Sequence, residues 1–208
     1  MAAPLTTIPE LATFTLLSTT TWLAIRLYVH RNGPVSWARR GMKINNTLYA
    51  ILSLSMFISI TMGESQPFIP AAHTPYIYHL SKFYEFTDIL LVCAAGGPIS
   101  LHFGFHHLTT PHLTFIRFLD GYEGWRVFSS ANTFHHVLMY TYFAGALMLR
   151  PLLPWTGTVQ LVVGIVVDLV IGARKCTEGE KDWQYFASAA LLSVYFVLHL
   201  RDLRARRI

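Results

Sequence analysis

The stretch EFTDILLVCAAGGPISLHFGFHHL, residues 85–108, places charged and histidine side chains directly against two apolar runs. The first run follows Asp88 and ends at the Gly-Gly-Pro sequence of residues 96–98. Glycine is flexible and proline lacks a backbone N–H, so this sequence predicts a break in the helix. The second run, residues 98–110, is too short to cross a bilayer, which takes about 20 apolar residues. We therefore predict a helix that begins inside the protein, where neighbouring helices cover the irregular backbone.

The whole chain has the composition of an integral membrane protein. Its 208 residues are 53% hydrophobic and 13% charged, whereas soluble domains carry about 25% charged residues. Most of its seven apolar segments are long enough to cross a bilayer as a helix. The segments cover residues 11–29, 46–63, 81–97, 98–110, 131–149, 155–172 and 183–200. We predict one all-α, polytopic membrane domain over residues 1–208, with about seven transmembrane helices.

The distribution of Lys and Arg predicts the orientation of these helices. The first ten residues contain neither, and the same is true of residues 64–80. The basic residues of the first loop and of the tail are Arg31, Arg39, Arg40, Lys43, Arg201, Arg204, Arg206 and Arg207. Loops rich in Lys and Arg stay in the cytosol, so we expect cytosolic anchors and a cytosolic C-terminus rather than a nucleic-acid surface. Three further basic residues fall on the opposite side of this pattern: Arg174, Lys175 and Lys181.

Three charged residues form a stripe at the start of the third apolar segment. Lys82, Glu85 and Asp88 recur every three residues, which places them on one slanting face of a helix. A solvated helix end is the plain explanation for Lys82 alone. Glu85 and Asp88, however, lead directly into the apolar sequence ILLVCAA. Because ionisable groups inside membrane segments are costly, we expect these two to face a cavity or a partner.

The histidines of the fourth segment indicate a site. His102 and His106 are four residues apart and share a helix face, while His107 is rotated by about 100°. A single histidine on an apolar helix is more often a core residue than a catalytic one. Three histidines within six positions favour a catalytic or binding site.

A third cluster lies in the sequence NTFHHVLMYTYF, residues 132–143. One helical stripe contains Asn132, His136, Met139, Tyr140 and Phe143. His135 lies beside this stripe rather than on it. Hydrogen bonding between helices is the alternative explanation for such polar residues. The repeated histidine chemistry of the second and third clusters favours a shared site.

Taken in order, the three clusters resemble the signature of the ELO family of very-long-chain fatty-acid elongases. The matching elements, within a core of about residues 80–145, are Lys82-x-x-Glu85-x-x-Asp88, a histidine box and Asn132-x-x-x-His136-x-x-Met139-Tyr140-x-Tyr142. The box here is His102-x-x-x-His106-His107, one residue longer than the family's His-x-x-His-His. The family's basic turn is replaced by AAGGP, and of its later paired glutamines only Gln160 remains.

The resemblance implies a 3-ketoacyl-CoA synthase, an acyltransferase that condenses an acyl-CoA with malonyl-CoA and releases CO2 and CoA. Helices would enclose a substrate tunnel, and a buried, neutral His106 would carry the acyl group as an acyl-histidine intermediate. His136, Asn132 and Tyr140 would stabilise the enolate. The implied catalytic set is His106, His136, His102, His107, Lys82, Glu85 and Asp88. The implied substrate-binding set is Asn132, Met139, Tyr140 and Phe143.

The resemblance also sets expectations about partners. No cofactor and no metal are expected beside the two CoA substrates. The expected partners are the lipid bilayer, a second copy in a homodimer, and the reductase and dehydratase of an elongation cycle. The Arg204-x-Arg206 spacing loosely resembles a basic retrieval signal, so we expect the endoplasmic reticulum membrane.

Two alternative functions remain open on the sequence. Membrane di-iron desaturases and hydroxylases also contain His-x-x-x-His-His, but they need more histidines than the five that cluster here. The longer box and the missing basic turn also suit an elongase-like acyltransferase diverted to specialised metabolism. Metal analysis separates the first alternative, and incubation with acyl-CoA and malonyl-CoA separates the second.

Overall fold

The computed structural model describes residues 4–65, 69–118, 122–180 and 183–205. These ranges contain α1 (Ile8–Asn32), α2 (Ala38–Met62), α3 (Thr74–Tyr84), α4 (Phe86–Ala94), α5 (Leu101–Phe118), α6 (Trp125–Ala144), α7 (Leu153–Thr177) and α8 (Trp183–Ala205). Short 3-10 turns occupy Gly63–Ser65, Ala71–His73 and Leu147–Leu152. No β-strand occurs in the four ranges, and the all-α prediction is confirmed for them.

The surface of the bundle is that of a membrane protein. Three stretches are long and apolar enough to cross a membrane, namely Ala38–Met62, Leu147–Thr177 and Trp183–Ala205. Large apolar side chains on the outside, each more than half exposed, include Leu16, Leu27, Leu48, Trp155 and Val170. Soluble proteins rarely expose apolar surface of this extent, and such a surface is consistent with a membrane protein. The count of seven spans stays a prediction.

The Gly-Gly-Pro sequence breaks the chain where the sequence predicts. α4 ends at Ala94, and Gly96 adopts a φ of 77°, which favours glycine because it has no Cβ. The next helix begins at Leu101, where the Ser100 hydroxyl accepts a hydrogen bond from the Phe103 backbone N–H (3.2 Å). This is an N-cap, and it fixes where the histidine box starts.

Two helix boundaries differ from the predicted segments. The third segment is two helices, because α3 ends at Tyr84 and α4 begins at Phe86, with Glu85 between them. The fourth is longer than predicted, since α5 continues through Pro111 to Phe118. Both differences matter for the site: Glu85 lies at a joint, and the histidine box lies in the first half of α5.

Contacts between loops and helix ends mark two ends of the bundle. At one end the Val35 N–H donates to the Ala94 carbonyl (2.8 Å), and the Ser100 hydroxyl donates to Asp202 (2.8 Å). This basic end carries Arg31, Arg39, Arg40, Lys43, Arg201 and Arg204. At the opposite end Arg174 of α7 pairs with the Glu123 carboxylate. Lys181, Arg206 and Arg207 lie outside the described residues.

Helix packing brings four helices around one apolar core. α6 packs along α2 and α7, α8 packs along α7 and α5, and α3 packs against α5. The core between α5, α6, α7 and α8 consists of Leu113, Phe128, Leu161, Leu192 and Tyr195. The three polar clusters meet at one side of this core.

Candidate active site

Glu85, at the joint between α3 and α4, is the centre of the polar network. Its side chain is buried, and its Oε1 accepts hydrogen bonds from Lys82 Nζ (2.6 Å) and the Tyr49 hydroxyl (2.5 Å). The same oxygen lies 3.3 Å from His136 Nδ1. A buried carboxylate is tolerated when a cation and hydrogen-bond donors surround it, and Glu85 has both. The first predicted cluster is therefore an internal ion pair rather than a solvated helix end.

Asn132 joins four other side chains to this network. Its Oδ1 accepts hydrogen bonds from Lys82 Nζ (2.8 Å) and the Tyr78 hydroxyl (2.6 Å). Its Nδ2 donates to Gln160 Oε1 (2.7 Å) and lies 3.3 Å from His136 Nε2. The two donors and two acceptor sites of the amide are thereby all used. Asn132 positions its neighbours and has no donor left for a substrate.

His136 has a neighbour at each ring nitrogen. Nε2 faces the Asn132 amide, which can only donate through its Nδ2, and Nδ1 faces the Glu85 carboxylate. A neutral imidazole with its proton on Nδ1 is compatible with both neighbours, although Nδ1 approaches Glu85 without forming a hydrogen bond. The tautomer is inferred from these contacts. His136 is thus held by the network from the side that Glu85 and Asn132 occupy.

His106 lines a narrow cavity beside the network. Polar side chains of Lys82, Asn132 and Gln160 border the cavity, and the remaining lining is Tyr78, Thr110, Leu113, Thr114, Phe128, Leu161, Leu192 and Tyr195. His106 is half-buried, with its ring centroid 4.8 Å from that of Tyr195. The cavity therefore has a polar side at the histidine and an apolar side towards the core.

The other two box histidines have different surroundings. His107 is buried, and its Nδ1–H donates to the backbone carbonyl of Glu85 (2.8 Å), which ties α5 to the joint. His102 lies nearer the basic end, 3.7 Å from a carboxylate oxygen of Asp202. Its ring centroid is 5.8 Å from that of His106, so the longer box keeps these two histidines adjacent. Of the box histidines, only His106 lines the cavity.

Asp88 and Tyr140 belong to a second, neighbouring network. The Tyr140 hydroxyl donates to Asp88 Oδ2, and Asn45 Nδ2 donates to Asp88 Oδ1 (2.6 Å). The Tyr84 hydroxyl in turn donates to Asn45 Oδ1 (2.6 Å). Tyr49 connects the two networks, because its ring lies 4.4 Å from that of Tyr140. The Tyr140 hydroxyl is engaged with protein, whereas the sequence predicted it at the enolate.

The remaining residues of the third cluster lie around the site. Met139 is half-buried, and Phe143 is 53% exposed on the outer surface of the bundle. His135, beside the stripe, is buried and shares a hydrogen bond with the Thr156 hydroxyl (2.8 Å). Since His135 is a packed interior residue, its replacement affects stability as well as the site.

Sequence reasoning did not single out Asn45, Tyr49 or Tyr78 as site residues. Asn45 and Tyr49 are four residues apart on α2 and both buried, so polar residues at helical spacing in the second segment were the available signal. Tyr78 lies one turn before Lys82, on the same helix face. This signal is weak, because tyrosine is common in apolar helices.

The described residues do not bring three His, Cys, Asp or Glu side chains together in a group that could hold a metal ion. The metal-free mechanism stays a prediction, to be tested by metal analysis of active protein.

The same three clusters that build the site carry the family likeness. The sequence model of the ELO family, described as the GNS1/SUR4 family, matches residues 4–201. The chain belongs to the ELO family. A candidate fatty acid elongase of Dictyostelium discoideum is 33% identical to this ELO protein over 76 residues, which are 36% of the chain. The aligned part is 25% of that relative, so the chain spans about a quarter of its length. No solved structure matches this ELO protein.

Proposed function

We propose that this ELO protein is a membrane 3-ketoacyl-CoA synthase, the condensing enzyme of a fatty-acid elongation cycle. The observation that carries the proposal is His106, a half-buried histidine that lines a cavity beside the Lys82–Glu85 ion pair and Asn132. Histidine can act as a nucleophile, and the apolar part of the cavity lining is the kind of surface that an acyl chain would contact. Family membership supports fatty-acid elongation as the pathway.

In the first half-reaction, a lone pair of the His106 imidazole attacks the thioester carbon of an acyl-CoA. The C–N bond forms, the C–S bond breaks, and the imidazole N–H proton passes to the leaving thiolate to give free CoA. The product is an acyl-imidazole, which divides one difficult step into two. Exclusion of water by the narrow cavity would protect this intermediate from hydrolysis.

In the second half-reaction, malonyl-CoA loses CO2, and the electron pair of the broken C–C bond forms an enolate. The enolate carbon attacks the acyl carbon on His106, a C–C bond forms, and the C–N bond breaks. The electron pair returns to the imidazole, which takes up a proton for the next cycle. Lys82 lies nearby as a cation, and positive charge stabilises a developing enolate.

Glu85, His107 and His136 act as positioning residues in this scheme. Glu85 holds Lys82 and faces His136, and its backbone carbonyl holds His107 next to the nucleophile. Buried networks of this kind keep side chains in place only when each member has its partner. Loss of any one member would therefore disturb His106 indirectly.

The decisive experiment is turnover by purified protein in detergent with malonyl-CoA and a series of saturated acyl-CoA esters. We expect 3-ketoacyl-CoA and CO2 in equal amounts for at least one chain length. Acylation of the enzyme without condensation would instead favour the diverted acyltransferase, whose acceptor is another nucleophile. Absence of both would refute the proposal. Stoichiometric iron lost with activity on chelation would favour the di-iron alternative.

We also propose the endoplasmic reticulum membrane as the location, with the basic end in the cytosol. The clustering of arginine and lysine at one end of the bundle supports this orientation. A reductase and a dehydratase would process the product, and a homodimer is the proposed assembly. A C-terminal glycosylation tag should remain unmodified in cells, and its modification would reverse the orientation.

A further inference from the structure

The cavity contains few hydrogen-bond donors that are not already engaged. Both N–H groups of Asn132 face protein acceptors. The Tyr78 hydroxyl donates to Asn132, and the hydroxyls of Tyr195 and Thr109 share a hydrogen bond (2.7 Å). Lys82 directs two of its three donors to Glu85 and Asn132. The residues expected from the sequence to polarise a substrate oxygen are thus committed to the protein.

Gln160 of α7 differs from these residues, because its side-chain N–H groups are not engaged with the described part of the protein. It is 7% exposed and lines the cavity together with His106. Its Oε1 accepts from Asn132 (2.7 Å), which fixes the amide so that Nε2 is the remaining polar group. Within the described part of the chain, Nε2 donates to no acceptor. It is also not one of the fully buried polar atoms that lack a partner, so it remains accessible. The Thr110 hydroxyl also lacks a partner there, but it is fully enclosed.

We propose that Gln160 is a catalytic residue whose side-chain N–H groups bind the thioester oxygen of the acyl-CoA. The inference rests on the proposed function, because it assigns a group to the first half-reaction of that scheme. As His106 attacks, the electron pair of the C=O bond moves onto oxygen, and the oxyanion accepts a hydrogen bond from Gln160. When the C=O bond re-forms, the C–S bond breaks and the thiolate leaves with the imidazole proton.

Asn132 has a definite part in this arrangement. A free glutamine amide can turn either its oxygen or its nitrogen towards a ligand. Lys82 and Tyr78 hold the Asn132 amide at its oxygen, so its N–H group faces Gln160 and can donate only to the Gln160 oxygen. The donor end of Gln160 is therefore preorganised, which is the condition for strong stabilisation of a developing oxyanion.

Two substitutions separate a donor role from a merely structural one. Gln160→Met removes both the acceptor for Asn132 and the donor, whereas Gln160→Glu keeps the acceptor and removes the donor at mildly alkaline pH, where the new side chain is ionised. Gln184→Met is the matched control, because this glutamine of α8 does not line the cavity. The measurement is the rate of enzyme acylation by intact mass spectrometry after mixing with acyl-CoA.

We expect both Gln160 variants to acylate about 10²–10³-fold more slowly at saturating acyl-CoA, with the half-saturation concentration little changed. The Gln184→Met variant should match the wild type. A Gln160→Glu enzyme with the wild-type rate beside a slow Gln160→Met enzyme would overturn the proposal, since Gln160 would then only hold Asn132. Fast acylation by both variants would overturn it while leaving the proposed function intact. A wild-type enzyme that never acylates would overturn both.

Discussion

Replacement of Asn132 by leucine tests whether this side chain holds the network together. Leucine has a similar size but no hydrogen-bonding group, so four neighbours lose a contact: Lys82, Tyr78, Gln160 and His136. Hydrogen bonds between membrane helices average about 0.6 kcal/mol, which gives about 1.8 kcal/mol for the three that cross to α3 and α7. A buried group left without a partner costs about 1–3 kcal/mol. The contact that Lys82 loses therefore adds to the total loss of stability. We expect a loss of about 2–4 kcal/mol.

The assay is reversible unfolding in detergent micelles, followed by circular dichroism. Thr156→Val is the matched control, because it removes one hydrogen bond to another helix, the one with His135, and should cost about 1 kcal/mol. An Asn132→Leu variant that loses no more stability than Thr156→Val would refute the idea that Asn132 is the joint of the network.

The remaining predictions concern other parts of the molecule. Asp168→Ala leaves Arg117 buried without its partner, so it should lower the stability by about 3–5 kcal/mol in the same unfolding assay. Replacement of both residues by apolar ones should restore most of the lost stability. His136→Ala should slow the acylation measured by mass as well as condensation, because the loss of this network member disturbs His106. Phe143→Ala should leave turnover within twofold or so of the wild type, because the ring lies on the outer surface.

The sequence predicted the helical architecture well, for a physical reason. Apolar segments of bilayer length have few alternatives to a helix, because the backbone must satisfy its hydrogen bonds internally. The break at Gly-Gly-Pro was equally clear, since glycine and proline act locally. The joint at Glu85 was not, because the sequence on either side of Glu85 suits a helix and only tertiary hydrogen bonds stabilise the interruption.

Within the site, spacing predicted which residues approach each other but not how their donors are used. Lys82, Glu85, Asn132, His106 and His136 do come together, as helical faces require. Which oxygen accepts which proton depends on partners from distant helices. Asn45 and Tyr49 of α2 supply several of these partners, and their helical spacing is only a weak sign of that role. Phe143 is the opposite case. It lies on the predicted stripe, yet its side chain is exposed on the outer surface of the bundle.

The central claim is that His106 carries the acyl group, and one measurement tests it directly. Purified protein is incubated with acyl-CoA alone, its intact mass is recorded, and fragmentation locates the added group. The account predicts one acyl group on His106, none on a His106→Ala variant, and normal labelling of His112→Ala, which replaces another histidine of the same helix outside the cavity. A fully acylated His106→Ala protein, or an acyl group on another residue of the wild type, would contradict it.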